Sequence, residues 1–347
     1  MKKIRSFMLV VLSLVVLFSL VACGSSETNS KEGGEGPTAD NGIQELTIKI
    51  SHVVAEHTPK HQGALKMKEV IEKESGGKIK VQIYPNSSLF GDKDEYQNLV
   101  ADNVQFILPD MMKLVGNDEG FNMESMPFIF EDDAQSIAFW DGEKGKGIFQ
   151  RLEKDGVLGL TMWPNGGKHI TNNVRPIKLP EDLKGLKLRT QGGQLLESMY
   201  AELGAGSATI PFGELYTALQ QGTVDGQENT LSNIESKKFD EVQKYMTIMN
   251  HTRVDYALLT NTKFWNGLND ETKAIVQKGI DEGTIIARDF AKQLNDQALE
   301  KIKENGKTEI YVLSEEEIAA FKKALEPVYN EYKEKIGVDI IEDAESR

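Results

Sequence analysis

The sequence predicts an α/β fold with two domains. Residues 46–51 and 78–84 alternate apolar and polar side chains as strands do, and a helical pattern lies between them. About 300 of the 347 residues follow position 44, which is more than one ordinary domain and enough for two. Repeated alternation of strand and helix patterns favours sheets that carry helices on both faces.

The first helix has clear start and stop signals. Thr58 is a typical N-cap, Pro59 suits the first helical position, and Gly76-Gly77 ends the pattern. Further along, glycine and proline in residues 163–167 predict a flexible crossing between the domains. The other predicted elements are a helix at 92–102, a strand at 104–108, a strand at 186–189, a helix at 195–203 and strands at 209–210 and 256–260.

The C-terminal part predicts two helices. Asn269 caps a pattern that persists to Asn305-Gly306, long enough to bridge two domains. Ser314 and Glu317 form a capping box for the last helix. The apolar stripe predicted for that helix is Ile318, Phe321, Leu325 and Tyr329.

The N-terminus is typical of an exported lipoprotein. Lys2-Lys3 precede an apolar run over 7–22 that is shorter than the roughly 20 residues a membrane span needs. The run ends in small residues before Cys23, the pattern in which a bacterial lipoprotein cysteine is lipidated and becomes the mature N-terminus. Cys23 is the only cysteine and forms no internal disulfide, so we expect it to be the anchor.

Composition excludes some functions. With 40 basic and 54 acidic residues the formal net charge is −14, which disfavours nucleic acid as a partner. It does not exclude an anionic small ligand, because exposed charges beyond about 8 Å are screened at physiological salt. The motifs of serine hydrolases, P-loop enzymes and zinc proteases are absent from the sequence.

Three of the five histidines, His52, His57 and His61, fall within ten residues. If Thr58 caps the helix, His57 lies outside it and does not share a helical face with His61, so we expect no metal site. Solvated or loop-anchoring histidines are the alternative, and His52 stands at a strand end where a cleft would form.

Candidate ligand-binding residues stand at strand ends. Arg189 ends an apolar strand before Gln191-Gly192-Gly193, where open α/β sheets bind ligands, and its fork suits a carboxylate. The alternative is a surface arginine on an edge strand. Lys168 offers a second cation beside the glycine-rich crossing, or is a solvated lysine. Asn229 either orients a ligand or caps nearby backbone.

The segment 211–229, PFGELYTALQQGTVDGQEN, combines a helix, a turn and a polar cluster. Phe212, Leu215, Tyr216 and Leu219 recur at helical spacing, and Gly222 is a helix stop. Phe212 therefore either packs in the core or presents a ring face to the cleft, and Trp163 has the same two interpretations.

From position 46 to about 338 the chain resembles the substrate-binding proteins of TRAP transporters. The similarity is carried in order by SHVVAEHTPKHQGALKMKE (51–69), YPNSSLFGDKDE (84–95), EDLKGLKLRTQ (181–191) and the segment 211–229. The resemblance implies a periplasmic-binding-protein-like (Venus flytrap) fold, with two α/β domains joined by crossing strands and a long bridging helix. It implies a protein that closes on an organic acid and has no catalytic activity, metal or cofactor.

The same resemblance assigns the site. It implies that Arg189 clamps a carboxylate, that Asn229 supplies an amide and that Phe212 packs near the ligand. Lys168 in N-G-x-K is similar to the four-carbon dicarboxylate group, whereas many sugar-acid binders have arginine there. Asp110 departs from the small hydroxyl residue expected in that group, and a buried carboxylate would repel a second ligand carboxylate unless it were protonated or paired. The full predicted set is Arg189, Lys168, Asn229, Phe212 and Gln191, extended by His52, Lys60, Asp110 and Trp163.

We therefore predict a receptor, lipid-anchored on the outer face of the cytoplasmic membrane, that captures malate, succinate or fumarate for the small and large TRAP membrane subunits. Alternatives within the fold are a hexuronate or 2-oxo acid as ligand, or a co-sensor role. A surface hydrolase is the remote alternative. The predicted boundaries are 1–22 for the signal, 23–43 for the lipidated cysteine and linker, 44–165 with 255–294 for domain I, and 166–254 with 295–347 for domain II.

Overall fold

Two β-sheets, joined by strands that run from one into the other, organise the protein. The structure is a computed structural model and describes residues 42–347, which belong to one compact unit. The predicted signal and the predicted lipid attachment at Cys23 lie outside the described residues.

Strands and helices alternate along most of this chain, as predicted. The strands are β1 Leu46–Ser51, β2 Ile79–Tyr84, β3 Phe106–Ile107, β4 Val157–Gly167, β5 His169–Asn172, β6 Lys187–Thr190, β7 Gly206–Thr209, β8 Gly226–Asn229, β9 Tyr245–Ile248, β10 Arg253–Asn261 and β11 Glu309–Val312. The α-helices are α1 Pro59–Glu74, α2 Glu95–Val100, α3 Asp133–Trp140, α4 Glu143–Gln150, α5 Gln194–Glu202, α6 Leu215–Gln220, α7 Leu231–Ser236, α8 Thr262–Gly267, α9 Asp270–Asn305, α10 Glu315–Ala324, α11 Glu326–Ile336 and α12 Val338–Glu345.

The strand order of the first sheet is β2-β1-β3-β10-β4, and that of the second is β11-β9-β5-β8-β6-β7. In the first sheet β1 is parallel to β2 and β3, while β10 is antiparallel to β3 and β4. In the second, β6 is parallel to β7 and β8, and β5 is antiparallel to β8 and β9. The α/β class and the sheet pair predicted from alternation are therefore confirmed.

The chain passes between the sheets three times: twice through short strand-to-strand crossings, and a third time through α8 and α9, which connect β10 to β11. Lys168 separates β4 of the first sheet from β5 of the second, and three residues after Asn250 the chain returns as β10. The two crossings lie side by side, because the Lys168 amide donates to Thr252 O at 2.8 Å and Arg253 pairs with Gly167. The crossing predicted at 163–167 exists, but it is strand rather than flexible turn, since pairing with β10 keeps it extended.

Helix α9 contains 36 residues and spans about 54 Å at 1.5 Å per residue. Its ends follow the predicted signals: the Asn269 side chain accepts from Thr272 N, and Gly306 closes the helix with φ 62°. It packs on α1 beside the first sheet and on α7, which follows β8 of the second. None of the helices formed by residues 42–347 combines the length and apolar character needed to cross a membrane.

The prediction of one final helix is wrong. The capping box is present, with Glu317 N donating to Ser314 Oγ at 3.2 Å. The stripe is split, however, because α10 ends at Ala324 and α11 starts at Glu326. Pro327 causes the break: it has no N–H, and its ring would clash with the carbonyl four residues earlier. Phe321 and Leu325 are still buried.

Three predicted elements are shorter or shifted. The helix expected at 92–102 is α2, the strand expected at 104–108 is two residues long, and the strand expected near 209–210 ends at Thr209. Asp102 has φ 62°, which stops α2 and turns the chain toward β3.

Close packing of α1 on α9 depends on glycines. A methyl group on Gly63 would lie 2.8 Å from Gly283 O, 2.8 Å from Cζ3 of Trp163 and 2.9 Å from Cβ of Ala287. These distances are much shorter than van der Waals contact, and Gly283 O and Ala287 Cβ cannot move away by a change of side-chain rotamer. The two helices therefore touch backbone to backbone at this point.

Gly63→Ala should destabilise the protein by about 1–3 kcal/mol, because overpacking forces buried neighbours apart. Thermal unfolding measures this. The matched control is Gly147→Ala in α4, where a new methyl group has no neighbour within 4 Å; it should be neutral or stabilising by up to about 1 kcal/mol. Equal melting temperatures for the two variants would contradict the packing described here.

Candidate functional site

A cavity is lined by residues from both sheets. Asp110 follows β3 of the first sheet, and Arg189 and Asn229 stand at the carboxyl ends of β6 and β8 in the second. Carboxyl ends of strands are where open α/β sheets bind ligands. The residues that line the cavity are Val53, Val54, Asp92, Glu95, Pro109, Asp110, Lys113, Arg189, Gln191, Phe212, Asn229, Asn233, Val254 and Tyr256.

Arg189 places a buried cation in the cavity wall. Its side chain is 1% exposed, and its Nε donates to Ile210 O at 2.9 Å. Among residues 42–347 no carboxylate oxygen lies within ion-pair distance of its guanidinium. Burial lowers the pKa of Arg189 from its ordinary value, and the more distant Asp92, Asp110 and Glu228 oppose that shift. The guanidinium is thus held without a direct counter-ion.

Three amides accompany this cation. Asn229 Oδ1 accepts from Thr230 N at 3.2 Å and from Asn233 Nδ2 at 2.8 Å. Gln191 Nε2 and Asn233 Oδ1 are buried and have no hydrogen-bond partner among the described residues. Buried polar atoms without partners cost stability, so this wall is built for polar groups that a ligand supplies.

Opposite charges meet on the first-sheet side of the cavity. Glu95 is 1% exposed and its Oε1 accepts from Ser51 Oγ at 3.0 Å, whereas its Oε2 has no partner in the described chain. Burial raises the pKa of Glu95 to about 8, although nearby Lys60 opposes the shift. Burial also lowers the pKa of Lys60 to about 7. Lys60 donates to Leu108 O at 2.7 Å and lies 3.5 Å from the centroid of the Tyr256 ring.

Asp110 lines the cavity and is coupled to a second carboxyl group behind it. The Met112 amide donates to both Asp110 Oδ1, at 2.9 Å, and Glu124 Oε2, at 3.0 Å. Burial raises the pKa of Asp110 and, together with Asp110 itself, raises that of Glu124 well above its ordinary value. Each of two neighbouring buried carboxyl groups disfavours the ionisation of the other. Glu124 Oε1 also accepts from the Asp255 amide.

Lys168 lies behind the cavity wall and does not line it. Its fully buried ammonium is 3.0 Å from Glu228 Oε1 and 3.4 Å from Ser125 Oγ. Glu228 Oε2 accepts from Tyr200 Oη at 2.7 Å and lies 2.7 Å from His251 Nε2. Burial alone would raise the pKa of Glu228, but Lys168, His251 and Tyr200 outweigh it and lower the pKa to about 2. The charge of Lys168 is therefore compensated within the protein.

The two aromatic candidates take different places. Phe212 lines the cavity and packs edge-on against Phe239, with ring centroids 6.0 Å apart. Trp163 is buried between the first sheet and α9, where its Nε1 donates to Thr284 Oγ1 at 2.8 Å. Phe212 thus packs in the core and lines the cavity at the same time, whereas Trp163 lies in the helix packing.

The three histidines are not gathered around a metal. Nε2 of buried His52 is 2.9 Å from Nδ1 of His61. Nε2 of exposed His57 is 3.3 Å from Glu235 Oε2. In the described part of the chain no group of three or more potential ligands is arranged to hold a metal ion. His52 directly precedes Val53 and Val54 of the cavity wall and does not line the cavity itself.

Sequence reasoning does not single out five polar wall residues: Asp92, Glu95, Lys113, Asn233 and Tyr256. Each lies in or near a segment or residue that it did single out, Asp92 within the segment 84–95 and Lys113 three positions after Asp110. Glu95 ends the segment 84–95, Asn233 follows Asn229 by four positions, and Tyr256 begins a predicted strand. A polar residue one helical turn after a candidate ligand residue is the signal that would have found Asn233.

A buried unpaired cation and unpaired amides around one cavity define a site for a small anionic solute. The chain belongs to the DctP family, the bacterial extracellular solute-binding proteins of family 7, whose model matches residues 50–335.

Among its relatives is the C4-dicarboxylate-binding periplasmic protein DctP of Rhodobacter capsulatus, 40% identical over 85% of this chain and 89% of the relative. The fold is similar to a TRAP periplasmic solute-binding protein of Shewanella oneidensis solved with succinate, with TM-score 0.85, 35% identity, and coverage of 87% of this chain and 98% of the other. A counterpart of Pseudomonas aeruginosa solved with L-malate gives TM-score 0.80 and 36% identity over 83% of this chain and all of the other. The predicted family and two-sheet solute-binding fold are confirmed.

Lys168→Met should lower the free energy of unfolding by about 3–5 kcal/mol, because it removes the lysine counter-ion of the buried Glu228 carboxylate and leaves Glu228 only its contacts with Tyr200 and His251. Chemical denaturation of the ligand-free protein measures the loss. The control is Lys292→Met, which breaks an ion pair to Asp296 with side chains 79% and 64% exposed and should cost less than about 0.5 kcal/mol. If Lys168 contacts ligand instead, as the sequence predicts, Lys168→Met will weaken binding and leave ligand-free stability close to wild type.

Proposed function

We propose that this protein captures a C4-dicarboxylate outside the cytoplasmic membrane and delivers it to the membrane subunits of a TRAP transporter. The observation that carries the proposal is Arg189, a buried guanidinium in the cavity wall with no ion-pair partner among residues 42–347. The Rhodobacter capsulatus relative is named for C4-dicarboxylate binding, and the Shewanella oneidensis and Pseudomonas aeruginosa proteins bind succinate and L-malate.

A ligand carboxylate would pair with the hydrogen-bond donors of the cavity wall that have no partner in the ligand-free protein. The planar guanidinium fork matches a carboxylate, and the resulting charge-assisted hydrogen bonds are roughly twice as strong as neutral ones. Gln191 Nε2 supplies a further unpaired donor beside it. Pairing the buried guanidinium with a ligand carboxylate contributes to affinity, because the free-energy cost of removing the guanidinium from water has already been met during folding.

A second carboxylate would meet the opposite side of the cavity. There the protonated Glu95 Oε2 offers a donor, and Lys60 lies behind the Tyr256 ring. Lys113 is paired with Asp92 at 2.9 Å, so its charge is already shared. These groups support a ligand with an anionic group at each end.

Ligand contacts with both sheets would favour a closed form over an open one. The cavity wall combines Arg189 and Asn229 from the second sheet with Tyr256 from the first. Closure is then a population shift toward the form in which both sets of contacts exist. The predicted division into domain I (44–165, 255–294) and domain II (166–254, 295–347) is part of this proposal.

The route of attachment is also part of the proposal. Residues 1–22 act as the export signal, Cys23 carries the lipid, and the following segment tethers the folded part to the outer face of the membrane. The small and large TRAP membrane subunits receive the ligand. The protein binds and releases this ligand unchanged.

Arg189→Ala should weaken binding of succinate and L-malate at least about 30-fold, because truncating one member of a buried charge pair costs 2–5 kcal/mol or more. Isothermal titration calorimetry measures the affinity, and thermal unfolding verifies that the variant is folded. The matched control is Arg151→Ala, which removes an arginine paired with Asp118 at 3.0 Å, away from the cavity wall. Unchanged affinity in Arg189→Ala would rule out this arginine as the clamp.

Affinity for a dicarboxylate should fall as pH rises above about 8. Below that pH the Glu95 carboxyl holds its proton and donates to the ligand, and above it the carboxylate repels the ligand, since its pKa is raised to about 8. Binding at pH 8 should accordingly take up protons, seen as different calorimetric heats in buffers of different ionisation enthalpy. Glu95→Gln, whose amide donates at every pH, should flatten the profile. A wild-type affinity that is constant from pH 6.5 to 9 would contradict this role.

A further inference from the structure

The unpaired atoms of the cavity wall sort into donors and acceptors. Gln191 Nε2 only donates, and so do the terminal nitrogens of Arg189. The protonated Glu95 carboxyl donates as well. Asn233 Oδ1 only accepts, and no donor in the described chain reaches it. A ligand that offers nothing but carboxylate oxygens satisfies the donors and leaves Asn233 unmatched.

The orientation of the Asn233 amide follows from its neighbours. The Thr230 amide donates to the Asn229 side chain at 3.2 Å, so the atom that it meets must be the carbonyl oxygen of Asn229. That same oxygen lies 2.8 Å from the Asn233 amide, so the group facing it must be the NH₂ of Asn233. Tyr256 Oη also accepts from this NH₂, at 3.3 Å. The carbonyl oxygen of Asn233 is therefore the end left free.

The carboxyl group of Asp110 also favours a dicarboxylate that carries a hydroxyl group over one that does not. Its carboxyl group lies in the wall, partly exposed, with Oδ1 held by the Met112 amide. A ligand hydroxyl is a neutral donor that can meet an acceptor without adding charge. An ammonium group would instead be brought beside Arg189, whose unpaired positive charge repels it.

Building on the proposed carboxylate clamp at Arg189, we infer that Asn233 is a specificity-determining residue whose Oδ1 accepts from a hydroxyl of the ligand. The ligand class is a hydroxylated dicarboxylate, with the hydroxyl next to a carboxylate that Arg189 holds. Sites built to hydrogen-bond a ligand hydroxyl reject the analogue without it, because the buried polar atom is then left unpaired.

Calorimetry with the wild-type protein and three four-carbon probes tests the inference. L-Malate, succinate and L-aspartate differ only at carbon 2. We expect L-malate to bind about 10-fold to 100-fold more tightly than succinate, and more tightly than L-aspartate. Equal affinity for malate and succinate, or tightest binding of succinate or aspartate, would overturn the inference and leave the proposed dicarboxylate function standing. Failure of all three probes to bind would overturn both.

Two variants test whether Asn233 causes the preference for malate over succinate. Asn233→Leu removes the acceptor and should bring the ratio of malate affinity to succinate affinity, both measured in that variant, down to about one. Asn233→Asp keeps an acceptor at this position and should retain the order malate before succinate. An unaltered malate preference in Asn233→Leu would overturn the assignment to this residue. Should Asn233→Leu not fold, loss of the preference in Asn233→Asp would overturn it as well.

Discussion

The buried ion pair of Lys168 and Glu228 stands where the chain crosses from one sheet to the other. Lys168 lies between β4 and β5, and Glu228 lies on β8, which pairs with β5. Ser125, from the first-sheet side, touches the same ammonium. One desolvated charge pair thus joins the crossing strand, the second sheet and the wall behind the cavity, and loss of Glu228 would leave the buried Lys168 ammonium without water or counter-ion.

Strand geometry lets this pair organise the ligand site without entering it. Neighbouring side chains on a strand point to opposite faces, so Glu228 points into the ion network while Asn229 lines the cavity. On the adjacent strand, Arg189 is paired in register with Gln227. Because Glu228 is committed to Lys168, His251 and Tyr200, its charge does not neutralise Arg189 directly. The cavity keeps one cation available, and its electrostatics are set before a ligand arrives.

Local signals explain what the sequence predicts well, and distant partners explain what it misses. The ends of α9 are encoded by one asparagine and one glycine beside the helix, and both are found in place. Arg189 and Lys168 look alike in sequence, and what separates them is Glu228, 60 positions beyond Lys168. The extended state of 163–167 likewise depends on β10, and the role of Asn233 depends on how the Asn229 amide is turned. The break at Pro327, by contrast, could have been predicted from the local sequence alone.

The glycine contact between α1 and α9 has a mechanical consequence. Where Gly63 meets Gly283 and Ala287, backbone atoms touch with no side chain to deform, so the first sheet and α9 behave there as one stiff body. Any opening of the cleft must then be absorbed where the chain is less tightly packed or irregular. The crossings meet the second condition only: they are paired as strands, but Gly166 has φ 112° and β10 carries an irregularity between Val254 and Asp255. We expect any opening of the cleft to concentrate its change of backbone angles there, directly beside Val254 and Tyr256 of the cavity wall.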